Sequence, residues 1–224
     1  ALAYNTYTTA YNTNMAANEC FLDSATLREN VVSLARNIGY VPRSRRSARA
    51  KISFNVSGLT ETSTLTLNSG VVCNGAGDNT NYIFCIPEDI TVPVTNGFAE
   101  FSNIEIYEGV FVSENFTVDT SLFNQRYILD NSFIDTSTIK VKVKSSSTAT
   151  SSVTYKQIDN IVGVTSTSNS YLLQEIEDER YELIFGDNVI GRKLSNNNYI
   201  TASYIVTDGK DGNGASEFSF VGNI

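Results

Sequence analysis

The chain has 224 residues, 41% of them hydrophobic and 18% charged, with 24 acidic against 16 basic side chains and a net charge of −8. That balance describes an ordered globular chain and argues against a general binder of nucleic acid or of an anionic membrane. No apolar run approaches the ~20 residues a bilayer-spanning helix needs, and the length accommodates one large or two small domains.

Residues 1–20 are polar, rich in Thr, Asn and Tyr, and read as an extended lead-in. The chain opens on Ala1, without Met or a signal pattern, and stops just after a strand-like segment at residues 217–221, so it reads as an internal piece or a processed product. A helix is predicted from Asp23. Asp23 or Ser24 can accept from the free amides of its first turn, and Thr26 with Glu29 offers a second capping register. Leu27, Val31, Leu34, Ala35 and Ile38 recur at helical spacing, Gly39 supplies a stop, and Pro42 blocks continuation. Residues 43–51 then hold five of the sixteen basic side chains: Arg43, Arg45, Arg46, Arg49 and Lys51.

From Ala50 onward the pattern is that of strands. Residues 51–56 and 63–67 alternate polar and apolar, and turn chemistry at residues 68–70 and 74–78 separates them from a denser apolar strand at residues 82–86. Further strands are expected at residues 90–94, 98–106 and 110–118, so residues 51–122 read as an inserted, sandwich-like domain. In the last unit, residues 123–224, Ile139 to Lys144 alternate apolar and Lys, as an edge strand guarded by its lysines does. Residues 145–152 are a Ser/Thr/Ala loop, and strands or mixed structure are expected at residues 155–164 and 171–176. The strands at residues 181–185 and 199–206 read as a long hairpin. Its character lies in its turns: Gly186, Asp187, Asn188 and Gly191 at one bend, Asp208 and Gly209 at the end of the returning strand. The fold class is therefore α+β, predominantly β, with an N-terminal amphipathic helix.

There is no histidine in the sequence. Ser-His-Asp triads, Cys-His dyads and imidazole metal sites are thereby removed together. Cys20, Cys73 and Cys85 stand at unrelated spacings without a CxxC and read as reduced, partly buried thiols. The Asp208-Gly209-Lys210-Asp211-Gly212 run misses the calcium-loop register at Lys210 and reads as a Gly-rich turn. No catalytic residue, metal site or cofactor is assigned. The basic run at residues 43–51 admits three readings: a nucleic-acid patch, disfavoured because it lacks interleaved aromatics and sits in an acidic chain, a solvated helix-to-strand connector, or a charged docking surface made by Arg43, Arg45, Arg46 and Arg49.

Two segments resemble the baseplate-J-like wedge proteins of contractile-tailed bacteriophages. One is residues 19–50, with its Phe-Leu-Asp-Ser-Ala-Thr-Leu-Arg-Glu-Asn run. The other is residues 181–214, with the Phe-Gly-Asp turn, the Tyr-Ile-Val-Thr-Asp-Gly strand end and the nearby Asn213-Gly214. Residues 135–143 are similar to a strand of that family as well, and Asn188 stands where the family turn usually has Gly, a substitution that tolerates positive φ. The resemblance implies a structural, non-enzymatic virion protein. Copies would pair with each other, as a dimer and then a ring, and with other wedge and hub or tube proteins, without nucleic acid or membrane. The family's domain would then comprise residues 1–50 and 123–224. An alternative from the residues alone is a glycan-binding β-sandwich of a tail fibre or adhesin, with Tyr107, Tyr155 or Tyr199 as sugar-stacking candidates; a third is a polysaccharide-degrading tail enzyme.

Overall fold

In a computed structural model, the protein is described at residues 2–37, 44–60, 63–77, 80–160 and 162–224. Over these residues it is predominantly β with two α-helices, α1 (Leu2–Asn18) and α2 (Arg28–Asn37). The strands fall into two seven-stranded sheets.

The first sheet contains β1 (Arg49–Ser57), β2 (Thr64–Leu67), β3 (Gly70–Gly77), β4 (Thr80–Ile86), β5 (Ile90–Thr95) and β6 (Phe98–Glu108), joined late in the chain by β14 (Glu217–Phe220). The order is β14-β3-β4-β6-β5-β2, all antiparallel, with β1 laid along the other edge of β6. The alternation of β1 sends Ile52, Phe54 and Val56 onto a core of Leu67, Val72, Phe84, Ile86, Phe101 and Ile106. Phe54 stacks on Phe101 with ring centroids 4.8 Å apart, and Phe220 of β14 closes on Phe54 at the same separation.

The second sheet contains β7 (Val110–Thr117), β8 (Tyr127–Leu129), β9 (Ile134–Lys144), β10 (Ser152–Gln157), β11 (Ser170–Glu175), β12 (Tyr181–Phe185) and β13 (Tyr199–Val206). Its order is β7-β13-β9-β10-β11-β12-β8, with β10 and β11 the parallel pair. The sheet rolls until its first and last strands meet: the Phe116 ring lies 5.8 Å from Tyr127, and Glu114 accepts from the Asp130 amide and the Asn131 side chain. Tyr204, fully buried, donates its hydroxyl to the same Glu114 carboxylate. The enclosed core runs from Ile139, Val141 and Val143 through Tyr155, Tyr171 and Leu183 to Ile200.

Four expectations are corrected. Residues 1–20 are not extended, because α1 occupies Leu2–Asn18. The second helix begins at Arg28, not near Asp23, and buries Val32 and Ala35 while Leu27 stays exposed; Gly39 and Pro42 lie outside the described residues. The helix is capped from a distance. The Glu19 carboxylate accepts from the Thr26 amide and hydroxyl, the Leu27 amide and the Asn30 side chain, and these bonds, led by that of Asn30, hold its pKa down at about 2. The lysine-bearing strand β9 is central rather than an edge, lying between β13 and β10. Alternation reports one solvated face, and a central strand of a half-exposed sheet has that as well. Finally, β12 and β13 are not bonded to each other: three strands, β9, β10 and β11, stand between them, so the expected hairpin is a crossing connection within one sheet.

The helix α2 is tied to the second sheet by Arg28, which pairs with Glu175 at 2.9 Å and approaches Glu179 at 3.5 Å. Among the described residues, three segments meet between the sheets. These are the connector leading into β1, the passage from β6 to β7 through Gly109, and the return from β13 to β14.

Candidate functional site

The connector at residues 44–49 is fastened to the start of β9. The Asp135 carboxylate, wholly buried, accepts from the Ser47 amide through Oδ2 and from the Ser137 amide and hydroxyl through Oδ1. Ser44 is bonded to the Thr136 amide at 3.0 Å and to its hydroxyl at 2.8 Å. The Ala48 carbonyl accepts from the Glu108 amide, so the segment touches both sheets.

The arginines of the run have different surroundings. Arg43 lies outside the described residues. Arg45 places its guanidinium 3.7 Å over the Phe133 ring. Arg49 donates to the Ser137 hydroxyl, approaches Glu105 and Asp135 at 3.9 Å each, and lies 5.1 Å over Tyr107. Burial, with the bond to Glu105, pushes the Tyr107 hydroxyl up to about 12. Arg46 is exposed and makes no ion pair among the described residues, although it borders a shallow cleft with Gln157 and Asp159. Among the described arginines of the run, Arg45 and Arg49 thus serve contacts inside the chain, and Arg46 is displayed outward.

The turn at residues 186–191 is built by backbone crowding. A Cβ on Gly186 would overlap the backbone of Gly191 and stand 2.5 Å from the Ile190 carbonyl oxygen. Asp187 caps the loop, its Oδ1 accepting from the Val189 and Ile190 amides at 2.9 Å each, and these bonds lower its pKa. Asn188 sits at φ 72° and Gly191 at φ 80°, the left-handed region that Asn and Gly tolerate. The Asn188 side chain accepts from the Lys193 amide, and Gly191 donates to the Thr165 carbonyl, docking the turn on the loop before β11.

The second set of turn residues lies at the junction of the sheets. Gly209, at φ 83°, donates its amide to the Thr207 hydroxyl, which in turn donates to the Glu108 carboxylate at 2.6 Å. A Cβ on Gly212 would stand 2.5 Å from Glu108 Cγ. Glu108 is buried, and that burial raises its pKa; the Thr207 bond opposes the rise, while the charges of Asp208 and Asp211 add to it. Gly109, at φ 130°, passes where a Cβ would overlap the Val206 carbonyl.

Asp135 and Glu108 hold this region together, and neither was singled out from sequence. The available signals were an Asp two residues before a Ser at a strand start, and an acid directly before a Gly between two strands.

No group of three or more His, Cys, Asp or Glu side chains is placed to hold a metal among the described residues. Cys73 and Cys85 are buried free thiols and Cys20 is an exposed one, rather than partly buried as expected. Burial pushes the Cys85 thiol up to about 11.

No protein-family model matches the chain. Across all of its length the chain is 27% identical, over 241 aligned positions, to the baseplate wedge protein gp6 of Enterobacteria phage T4, of which the match covers 35%. The chain therefore spans about a third of the length of that curated relative. By its sequence the chain is a distant relative of a phage baseplate wedge protein.

Proposed function

We propose that the chain is a structural part of a contractile-tail baseplate wedge of the baseplate-J-like kind, working through interfaces rather than chemistry. The observation that carries this reading is the similarity to a baseplate wedge protein along the chain's whole length. The crowded Gly186 turn and the connector fastened by Asp135 fit it, as surface features fixed by close packing and hydrogen bonds.

In this reading copies associate with each other and with other wedge and hub or tube proteins in an inner ring that rearranges on contraction. Such a role needs interfaces with two packings of similar energy. The second sheet, with its turns, and the segments around α2 form the assembly domain. Residues 51–122 are the inserted domain, and the connector displays Arg46 to a partner. The chain acts in the virion tail after assembly in the host cytoplasm.

The test is immunogold labelling of intact phage particles with an antibody against this chain, before and after contraction. Label at the end of the tail distal to the head, close to the tube, is the expected result. Label on fibre tips, or none on tails, discards the proposal and favours the glycan-binding alternative.

A further inference from the structure

Lysines on a free sheet edge deter pairing with other chains. Strand β9 is central, between β13 and β10, so Lys140, Lys142 and Lys144 have no edge to guard. They stand at every second position on the outer face, about 7 Å apart along the strand, while Ile139, Val141 and Val143 enter the core from the other face. That spacing is shorter than the ~10 Å over which exposed charges feel one another at 0.1 M salt. The column of like charges therefore opposes itself, and solvation alone does not require it: the outward positions of β7 and β13 on either side are met with Ser, Thr, Asn and Tyr.

Nothing beside the upper part of the column neutralises it. Lys142 is flanked by Thr201 and Thr154, with Asn115 beyond, and the Thr201 hydroxyl donates to the Asn115 side chain at 2.9 Å. Lys144 is flanked by Tyr199 and Ser152. None of these neighbours is acidic. Lys142 and Lys144 are partly exposed, and among the described residues neither makes an ion pair.

The remaining lysine shows what the face accepts. Lys140 pairs with Glu88 at 2.9 Å. Glu88 lies on the turn between β4 and β5 of the first sheet, and the Ser203 hydroxyl donates to the Pro87 carbonyl of the same turn at 2.9 Å. The next carboxyl, Asp89, is held below its ordinary value first by the Ser69 amide and, more weakly, by the charge of Lys142. An acidic stretch of backbone is thus seated on the lower end of the column, its carboxylate on a lysine and its carbonyl on the neighbouring hydroxyl. Lys142 beside Thr201 repeats that pairing of ammonium and hydroxyl, and Lys144 beside Tyr199 repeats it again.

The spacing says what shape of partner fits. In an extended chain, alternate side chains point the same way and recur at the same ~7 Å. Acids at every second residue of an extended segment therefore fall opposite Lys142 and Lys144 together. A nucleic-acid strand is a poorer fit, because the chain carries a net charge of −8 and these rows offer Tyr199 as a stacking platform without a second ring beside it.

Given that the chain works through interfaces, we propose that the outer face of the second sheet at Lys142 and Lys144 is a docking surface for an acidic, extended segment of a partner protein, its alternate carboxylates laid along the lysine column.

The experiment uses the whole chain and, as probe, a short fluorescent peptide of alternating Glu and Thr, with anisotropy read at low salt. Binding is expected, and it should vanish near 1 M salt, where the screening length is about 3 Å. The Lys142→Glu, Lys144→Glu double variant should bind about tenfold more weakly or worse. The Lys51→Glu, Lys193→Glu double variant makes the same change in net charge elsewhere and should bind close to the unsubstituted chain. The melting temperature of the first variant should be unchanged, since neither lysine holds an ion pair in the fold. If it melts lower, Lys142→Ser, Lys144→Ser, which matches the neighbouring hydroxyl residues, takes its place with a smaller loss of binding. No binding at low salt, equal weakening by the two charge reversals, or tighter binding of an oligothymidylate of equal charge overturns the proposal. Particle labelling reports where the chain works and peptide binding reports what this face accepts, so each can fail without the other.

Discussion

The Thr207 hydroxyl donates to the Glu108 carboxylate at 2.6 Å, and through that bond the end of β13 is fastened to the end of β6. The two strands belong to different sheets. Glu108 also donates its amide to Ala48 of the connector, so one buried residue meets all three segments that cross between the sheets.

The pH dependence of this junction follows from the raised pKa of Glu108, whose largest cause is desolvation. A carboxyl with a folded-state pKa above its unfolded value favours the protonated form in the fold. Its contribution to stability is complete below the unfolded pKa, about 4.3 for Glu, and is lost as pH rises through the folded value. Glu108→Gln, which keeps the shape without the charge, is therefore expected to flatten the dependence of melting temperature on pH. It should melt higher than the unsubstituted chain at about pH 8 and alike at about pH 4. A variant that melts lower at the higher pH would show that the charged form is the one the junction stabilises.

Asp135 is the matching fixed point at the start of β9. Its two oxygens accept three bonds, two from backbone amides, and the carboxylate is wholly buried. Asp135→Ala would strand these donors, at a cost of about 1–3 kcal/mol for each buried donor left without a partner. The expected outcome is a loss of about 2–4 kcal/mol in denaturant unfolding. Greater protease susceptibility between Ser44 and Arg49 should accompany it as the connector lifts away. Asp135→Asn keeps one acceptor oxygen and should cost less.

How much of this was legible depends on the range over which each feature is determined. The alternation in β1 and β9 is a local record of one buried and one solvated face, so both strands stood out from sequence. The identity of neighbouring strands is not local. Residues 181–185 and 199–206 are close in sequence and carry turn residues between them, yet Ile200 pairs with Phe116 and Val143, not with the β12 strand. The helix α1 was hidden because Thr and Asn favour caps and turns over helix interiors. The turn is a local matter, since overlap at Gly186 and positive φ at Asn188 restrict residue choice in place. Asp135 and Glu108 look like any polar strand residue until partners from 88 and 99 positions away arrive.

The arginine run can now be tested with better separation of its two readings. Arg45 lies over Phe133, and Arg49 joins Asp135, Glu105 and Ser137, so reversing either disturbs the chain's own packing. The exposed cation–π contact of Arg45 is worth about 0.5–1 kcal/mol, a loss expected in the Arg45→Glu melting curve. Among the described residues Arg46 makes no such contact. Arg46→Glu is expected to leave unfolding of the isolated chain unchanged while weakening incorporation into baseplates in a complementation assay. Full incorporation would remove the docking role from the run and leave it as a connector.

Gly186 offers the sharpest structural test, because its requirement is spatial rather than conformational. It does not occupy the left-handed region, so an L side chain is permitted by its φ; what forbids one is the Gly191 backbone and the Ile190 carbonyl pressed against its Cα. Neither obstacle is a flexible side chain that can swing aside. Gly186→Ala is therefore expected to cost about 1–3 kcal/mol by overpacking, and Gly186→Val more. The damage should spread along named bonds: the Gly191 amide would be pulled from Thr165 and the Arg192 amide from Ser168, freeing the loop before β11. Hydrogen exchange should show those two amides losing protection first, ahead of the β13 amides paired with β7 and β9. Loss of protection in β13 at the same rate would mean that the turn and the sheet unfold as one unit. An unchanged melting curve for both variants would mean that the turn has room the close approach of Gly186 and Gly191 denies it.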